Sequence, residues 1–121
     1  MRTRMLGALA ALALLVPVLA EAHHGWRWTT GGNIELTGII QDAQLGNPHG
    51  VLSVDADGES WTVEVGQPWR NDRAGLKAGD LAPGVEIRAI GEPSAEPEKR
   101  RMKVERLFIG EREYVLYPNR D

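Results

Sequence analysis

From residue 34 onward, apolar and polar positions alternate with a period of two over most of the chain. Ile34, Leu36 and Ile40 alternate with Glu35, Thr37 and Gln41, the pattern of a half-buried first strand. Gly38 interrupts it and predicts a bulge or a sharp coil. Gly46-Asn47-Pro48-His49-Gly50 is loop chemistry, Val51 to Asp55 reads as a second strand, and Asp57-Gly58 is a hairpin signal that tolerates positive φ. Trp61, Val63 and Val65 then share one face, opposite Thr62 and Glu64, which places Trp61 in the core of a third strand. Pro68 can open and Gly75 can close one short helix. Gly79-Asp80 and Pro83-Gly84 are turns, and Val85, Ile87 and Ala89 form the inward face of a fourth strand. Glu92 to Arg101 is a Pro- and charge-rich loop. Met102, Val104 and Phe108 mark a fifth strand, Gly110 to Arg112 a turn, and Tyr114 to Tyr117 a short sixth strand.

Three strands, a short helix and two or three further strands predict an all-β fold, a small OB-like barrel whose helix plugs the end between strands 3 and 4. Closure hides the sheet edges of so small a β domain. A β-sandwich is the alternative, because alternation does not distinguish a barrel from two packed sheets.

The first segment obeys different rules. Arg2 and Arg4 precede an uncharged Leu/Ala-rich run from Met5 to Ala20, shorter than the roughly 20 residues of a spanning helix. Small residues at its end make residues 1–22 a secretory signal peptide, with cleavage after Ala20 or Ala22. An uncleaved membrane anchor is the lesser alternative. The chain then divides into that leader, a His/Trp tail at 23–33 and a barrel domain at 34–121. The leader's character points to the periplasm of a Gram-negative bacterium, with no stable membrane insertion after cleavage.

Composition narrows the chemistry. There is no cysteine among 121 residues, which excludes disulfide scaffolds, thiolate metal sites and thiol catalysis. The net charge is -3, and loss of Arg2 and Arg4 makes the exported domain more acidic still, which argues against nucleic acid as a partner. No nucleophile elbow, phosphate loop or spaced acid–base pair is present, and the carboxylates read as alternating surface residues, so no enzymatic activity is expected.

Several stretches are similar to a family of small exported bacterial proteins that carries a domain of unknown function. They are the start His23-His24-Gly25-Trp26, the loop Gly46-Asn47-Pro48-His49, the strand Trp61-Thr62-Val63-Glu64-Val65, the run Arg70-Asn71-Asp72-Arg73-Ala74-Gly75-Leu76, the turn Gly79-Asp80 and the pair Tyr117-Pro118. The resemblance spans nearly the whole exported chain, with Asn-Pro-His as its most distinctive motif. It implies an exported OB-like barrel and no established activity. Trp69 departs from it, standing where a smaller residue is expected.

Three histidines, His23, His24 and His49, are the candidate metal ligands. Cleavage after Ala22 would make His23 the first residue, so that its amine and imidazole chelate one ion and His24 or His49 completes a three-nitrogen set suited to copper. Cleavage after Ala20 would place His23 third, where amine, backbone amides and imidazole wrap copper(II) or nickel(II) in a plane. Zinc fits less well, since a structural zinc site wants four ligands, although a carboxylate such as Asp42 could supply one. Trp26 and Trp28 would point the same way from an extended tail, packing over the barrel mouth or forming a stacking platform, with plain core burial as the alternative to both. Asn47, Arg70, Asn71 and Arg73 are further ligand-binding candidates, the arginines because a guanidinium matches a carboxylate or phosphate. Lys99-Arg100-Arg101 reads as an ordinary charged loop.

The expectation is therefore a periplasmic copper-binding module for carriage or buffering without turnover. The alternative is a metal-free envelope interaction module for a protein, peptide or glycan. The copper reading requires the 46–50 loop and the HHGW segment to lie at the same end of the molecule.

Overall fold

The computed structural model describes residues 24–120. The leader, its cleavage point and His23 lie outside the described residues.

Six strands follow the alternation: β1 (Ile34–Gln44), β2 (Val51–Ala56), β3 (Glu59–Glu64), β4 (Glu86–Pro93), β5 (Arg101–Ile109) and β6 (Arg112–Val115). The sheet order is β3-β2-β1-β4-β5-β6, and a parallel pairing of β3 with β5 closes the first five strands into a barrel. Helix α1 (Pro68–Arg73) lies between β3 and β4, with Pro68 in its first turn where the missing N–H costs nothing. This is the OB-like barrel expected, with β6 as an added strand, and it excludes the sandwich. Ile40, Leu52, Val63, Met102, Val104 and Leu107, all fully buried, form the centre of its core.

Two details of the strands differ from the pattern reading. The irregularity of β1 falls after Ile40, where Gln41 is the extra residue between the Ile40–Val54 and Asp42–Ser53 pairs, and not at Gly38. Gly38 is required by proximity: a Cβ there would stand 2.6 Å from both the Asp55 carbonyl oxygen and Val54 Cγ1. Trp61 is half-buried against the core's edge and is not a core residue. It lines a shallow groove with Ile34 and Pro93.

β5 carries the irregularity that matters most for the site. Gly91 pairs with Val104 and Ile90 with Arg106, so Glu105 is an extra residue. The shift carries the inward face from Met102 and Val104 to Leu107, and leaves Phe108 half-buried under the Arg88 guanidinium, 3.9 Å from its ring centre. Strand β6 also begins and ends earlier than expected, and the Leu116 amide donates to the Glu105 carbonyl at 2.9 Å.

Candidate functional site

The N-terminal segment docks across the side of the barrel, and buried carboxylates hold it there. Glu64, Glu92 and Glu105, read from sequence as surface positions, are each 3% exposed or less. A buried carboxylate is tolerated only when paired and hydrogen-bonded. Glu92 accepts from Thr29 Oγ1 at 2.5 Å, from the Gly31 amide at 3.2 Å and from Arg120 Nη2 at 2.6 Å. Glu105 accepts from Asn33 Nδ2 at 3.1 Å and pairs with Arg120 Nε at 3.5 Å. The tail backbone continues the attachment, with Thr30 N–H donating to Pro93 O at 3.0 Å and Ala95 N–H to Trp28 O at 2.8 Å.

Burial alone would raise the pKa of Glu92, but hydrogen bonds from Thr29 and Arg120 and the charge of Arg120 outweigh it and leave the carboxyl below its ordinary 4.5. A depressed folded-state pKa contributes stability above the unfolded value and loses it as pH falls through the folded value. In urea unfolding, the advantage of the native protein over Glu92→Gln is therefore expected to be full near neutrality and to shrink below about pH 4. A gap independent of pH would contradict this role.

Trp26 and Trp28 do not project together, because residues 24–26 form a 3₁₀ turn in place of an extended tail. The Trp26 ring meets Tyr117 edge-on, with centroids 5.0 Å apart, and carries the Arg120 guanidinium at 3.8 Å. Trp28 lies under Arg101, 3.7 Å from ring centre to guanidinium. The rings act as anchors: cation–π contacts of this kind stabilise by about 0.5–2 kcal/mol each.

Beside these anchors lies a cleft of about 530 Å³, lined by Gly25, Trp28, His49, Glu64, Arg101 and Lys103, among others. The HHGW segment and the Asn-Pro-His loop thus meet, Gly25 from one and His49 from the other. A cis Asn47–Pro48 peptide leads into His49. His49 Nε2 stands 3.0 Å from Glu64 Oε1. Arg101 Nε donates to the other carboxylate oxygen, Oε2, at 2.8 Å, and its Nη2 also reaches that atom. Lys103 is paired with Glu64 in the β3–β5 register, and its Nζ lies 4.0 Å from Oε1. Burial holds the Lys103 amine below its ordinary pKa, against the opposing pull of Glu64. Despite the near approach of His49, Glu64 Oε1 has no hydrogen-bond partner among the described residues.

The other candidates separate by role. Asn71 is buried, and its amide closes on one residue, accepting from Gly66 N–H at 2.9 Å and donating to Gly66 O at 3.0 Å. It fastens the β3–α1 junction and is not a ligand group. Arg70 is largely spent too, donating to Leu116 O at 3.1 Å and to Gln67 Oε1 at 3.2 Å, between the Tyr117 and Trp69 rings. Arg73 is exposed, 5.9 Å from Trp69, and Trp69 itself is 53% exposed. Asn47 is exposed at the loop tip. Among the described residues no cluster of three His, Cys, Asp or Glu side chains could hold a metal ion.

Sequence reasoning missed Glu64 and Lys103. Each alternates with core residues and so reads as facing water; His49 and Arg101 stand against Glu64, and Gly25 approaches Lys103. The available signal was the flanking pattern, in which a His/Trp segment has to pack somewhere on an otherwise polar barrel flank.

The fold and cleft define an OB-like barrel whose flank is completed by its own N-terminal segment. The chain belongs to a family described as "Family of unknown function (DUF6152)", whose profile matches residues 11–103. No curated protein matches it. Among solved structures it is similar to a chain of the S. pombe Stn1-Ten1 complex, with TM-score 0.52 and 17% identity over 64% of this chain and 57% of that one. It also resembles a chain of a replication protein A heterotrimer bound to ssDNA, with TM-score 0.49 and 13% identity over 64% of this chain and 57% of that one. The chain therefore spans little more than half the length of either, and at these identities the likeness is one of fold. Among the described residues no helix is long and apolar enough to cross a membrane.

Proposed function

We propose that the protein is a periplasmic copper-binding module, for carriage or buffering without turnover, that takes the ion between its N-terminal histidines and His49. The observation that carries this reading is the shared cleft: Gly25 and His49 line the same cavity. His23 and His24 directly precede Gly25 in the sequence. The donors fit. The His49 imidazole lines the cleft, and nitrogen donors favour copper among divalent ions. The negative net charge also favours a cation over a polyanionic partner.

Protein recovered after export from the full-length gene is expected to bind one equivalent of copper(II) tightly. Its mass fixes which residue carries the free amine. His23→Ala should weaken binding by at least about tenfold, while Arg73→Ala, on exposed surface, leaves it unchanged. Equal affinity in the two variants would remove the reading.

One observation favours a second reading. Trp69, exposed beside two guanidinium groups, gives α1 the look of a contact surface in a metal-free module for a protein, peptide or glycan. In that case copper would leave both Trp fluorescence and thermal stability unchanged.

A further inference from the structure

We propose that the cleft between the N-terminal segment and the Asn-Pro-His loop is a binding site for a small organic carboxylate, with Lys103 and Arg101 taking its anionic head. The inference goes beyond the copper reading and does not rest on it. Three observations carry it. The Lys103 side chain is 6% exposed, yet its Nζ stands 4.0 Å from the nearest carboxylate oxygen, Glu64 Oε1, beyond hydrogen-bond reach. Its other close neighbours are the Trp26 and Tyr117 rings, with centroids at 5.3 and 5.8 Å, so the ammonium gives none of its N–H groups to an oxygen among the described residues. A buried ammonium in that condition is costly, and the cleft it lines is the space from which an acceptor can reach it. Arg101, on the same wall, spends Nε and Nη2 on Glu64 Oε2 and keeps Nη1 without a hydrogen bond among the described residues. Charge is the third observation. Arg101, Arg70 and Arg120 all act on Lys103 through space. Glu92 and Glu105 answer Arg120, whereas Glu64 is the carboxylate paired with both Arg101 and Lys103. The wall therefore carries surplus positive charge on a chain whose net charge is -3.

The rest of the cleft selects the class of anion. Trp28 and Pro48 border it with apolar surface, which the body of an organic acid would cover and a bare inorganic anion would leave wet. Its volume of about 530 Å³ accommodates a ring or short chain behind the carboxylate. A carboxylate presents two oxygens in one plane, one for the ammonium and one for the guanidinium edge.

Calorimetric titration of the exported protein with benzoate, acetate and inorganic phosphate, after metal is stripped on a chelating resin, tests this. Benzoate is expected to bind one per chain with Kd of about 1 mM or tighter, and acetate more weakly. Lys103→Met should weaken benzoate by at least about tenfold, while Arg73→Ala leaves it unchanged. No benzoate binding up to about 10 mM, or equal affinity in Lys103→Met, would overturn the site. Phosphate binding more tightly than benzoate would overturn the organic-acid assignment. Should Lys103→Met fail to fold, nuclear magnetic resonance of the unaltered protein with labelled lysine ε-carbons decides. The chain has three lysines, Lys77, Lys99 and Lys103. A Lys103 signal that moves and saturates with benzoate supports the proposal, and one that stays fixed overturns it. Because the metal is removed first, failure here leaves the copper reading standing, and failure to bind copper leaves this site standing.

Discussion

Alanine at Gly91 is expected to destabilise the barrel by about 3 kcal/mol or more, or to prevent folding outright. A Cβ at this position would stand 2.0 Å from the Lys103 carbonyl oxygen and 2.8 Å from both the Lys103 carbonyl carbon and Val104 Cα. All three are backbone atoms of the neighbouring strand, so no side chain can swing aside. The clash falls beside the extra residue Glu105, which turns Leu107 inward and Glu105 toward Asn33 and Arg120. Gly46→Ala is the control, since nothing lies within 4 Å of where its methyl group would stand, and it should stay within about 0.5 kcal/mol of the native protein. Urea midpoints measure both. A Gly91→Ala protein as stable as the parent would mean that β4 and β5 do not approach as described.

Trp26→Ala is expected to weaken copper binding by about tenfold to a hundredfold without touching a ligand. The ring is clasped between Tyr117 and Arg120, and its removal frees the segment that bears His23 and His24. On the proposed reading, ligation across the cleft then loses the high effective concentration that docking provides. The stability cost should be smaller, about 1–2 kcal/mol, because the ring is only half-buried. Unchanged affinity would show that the tail wraps the ion by itself through its amine and backbone amides, the site that cleavage after Ala20 would create. The pair of measurements therefore separates a site built by the fold from one built by a peptide.

The barrel was legible because alternation is a local signal. Val63 and Met102 declare their faces without reference to the rest of the chain, and Pro68 and Gly75 bracket the helix by backbone chemistry alone. Parity failed where one extra residue entered a strand. Gln41 and Glu105 are ordinary in sequence, and only the register across the neighbouring strand reveals that Leu107 has replaced Phe108 on the inside. Of the cleft and its surroundings, the Asn-Pro-His loop stood out in the sequence, and Glu64, Glu92 and Lys103 did not. Their neighbours, His49 and Arg101 for Glu64, Thr29 and Arg120 for Glu92 and Gly25 for Lys103, lie far off in sequence, and no window of alternation spans those distances. Asn71 misled for the opposite reason: an amide between two arginines suggests recognition, whereas its geometry serves the chain's own Gly66.

Arg120 rests on the same indole that positions the histidine-bearing end. Anything grafted beyond that arginine would emerge close to the cleft proposed to take copper. An oligohistidine purification handle placed there would bring rival imidazoles to the cleft and inflate or mask its affinity. Handles free of nitrogen heterocycles, or ones excised before titration, follow directly from how the two ends of the described chain clasp each other.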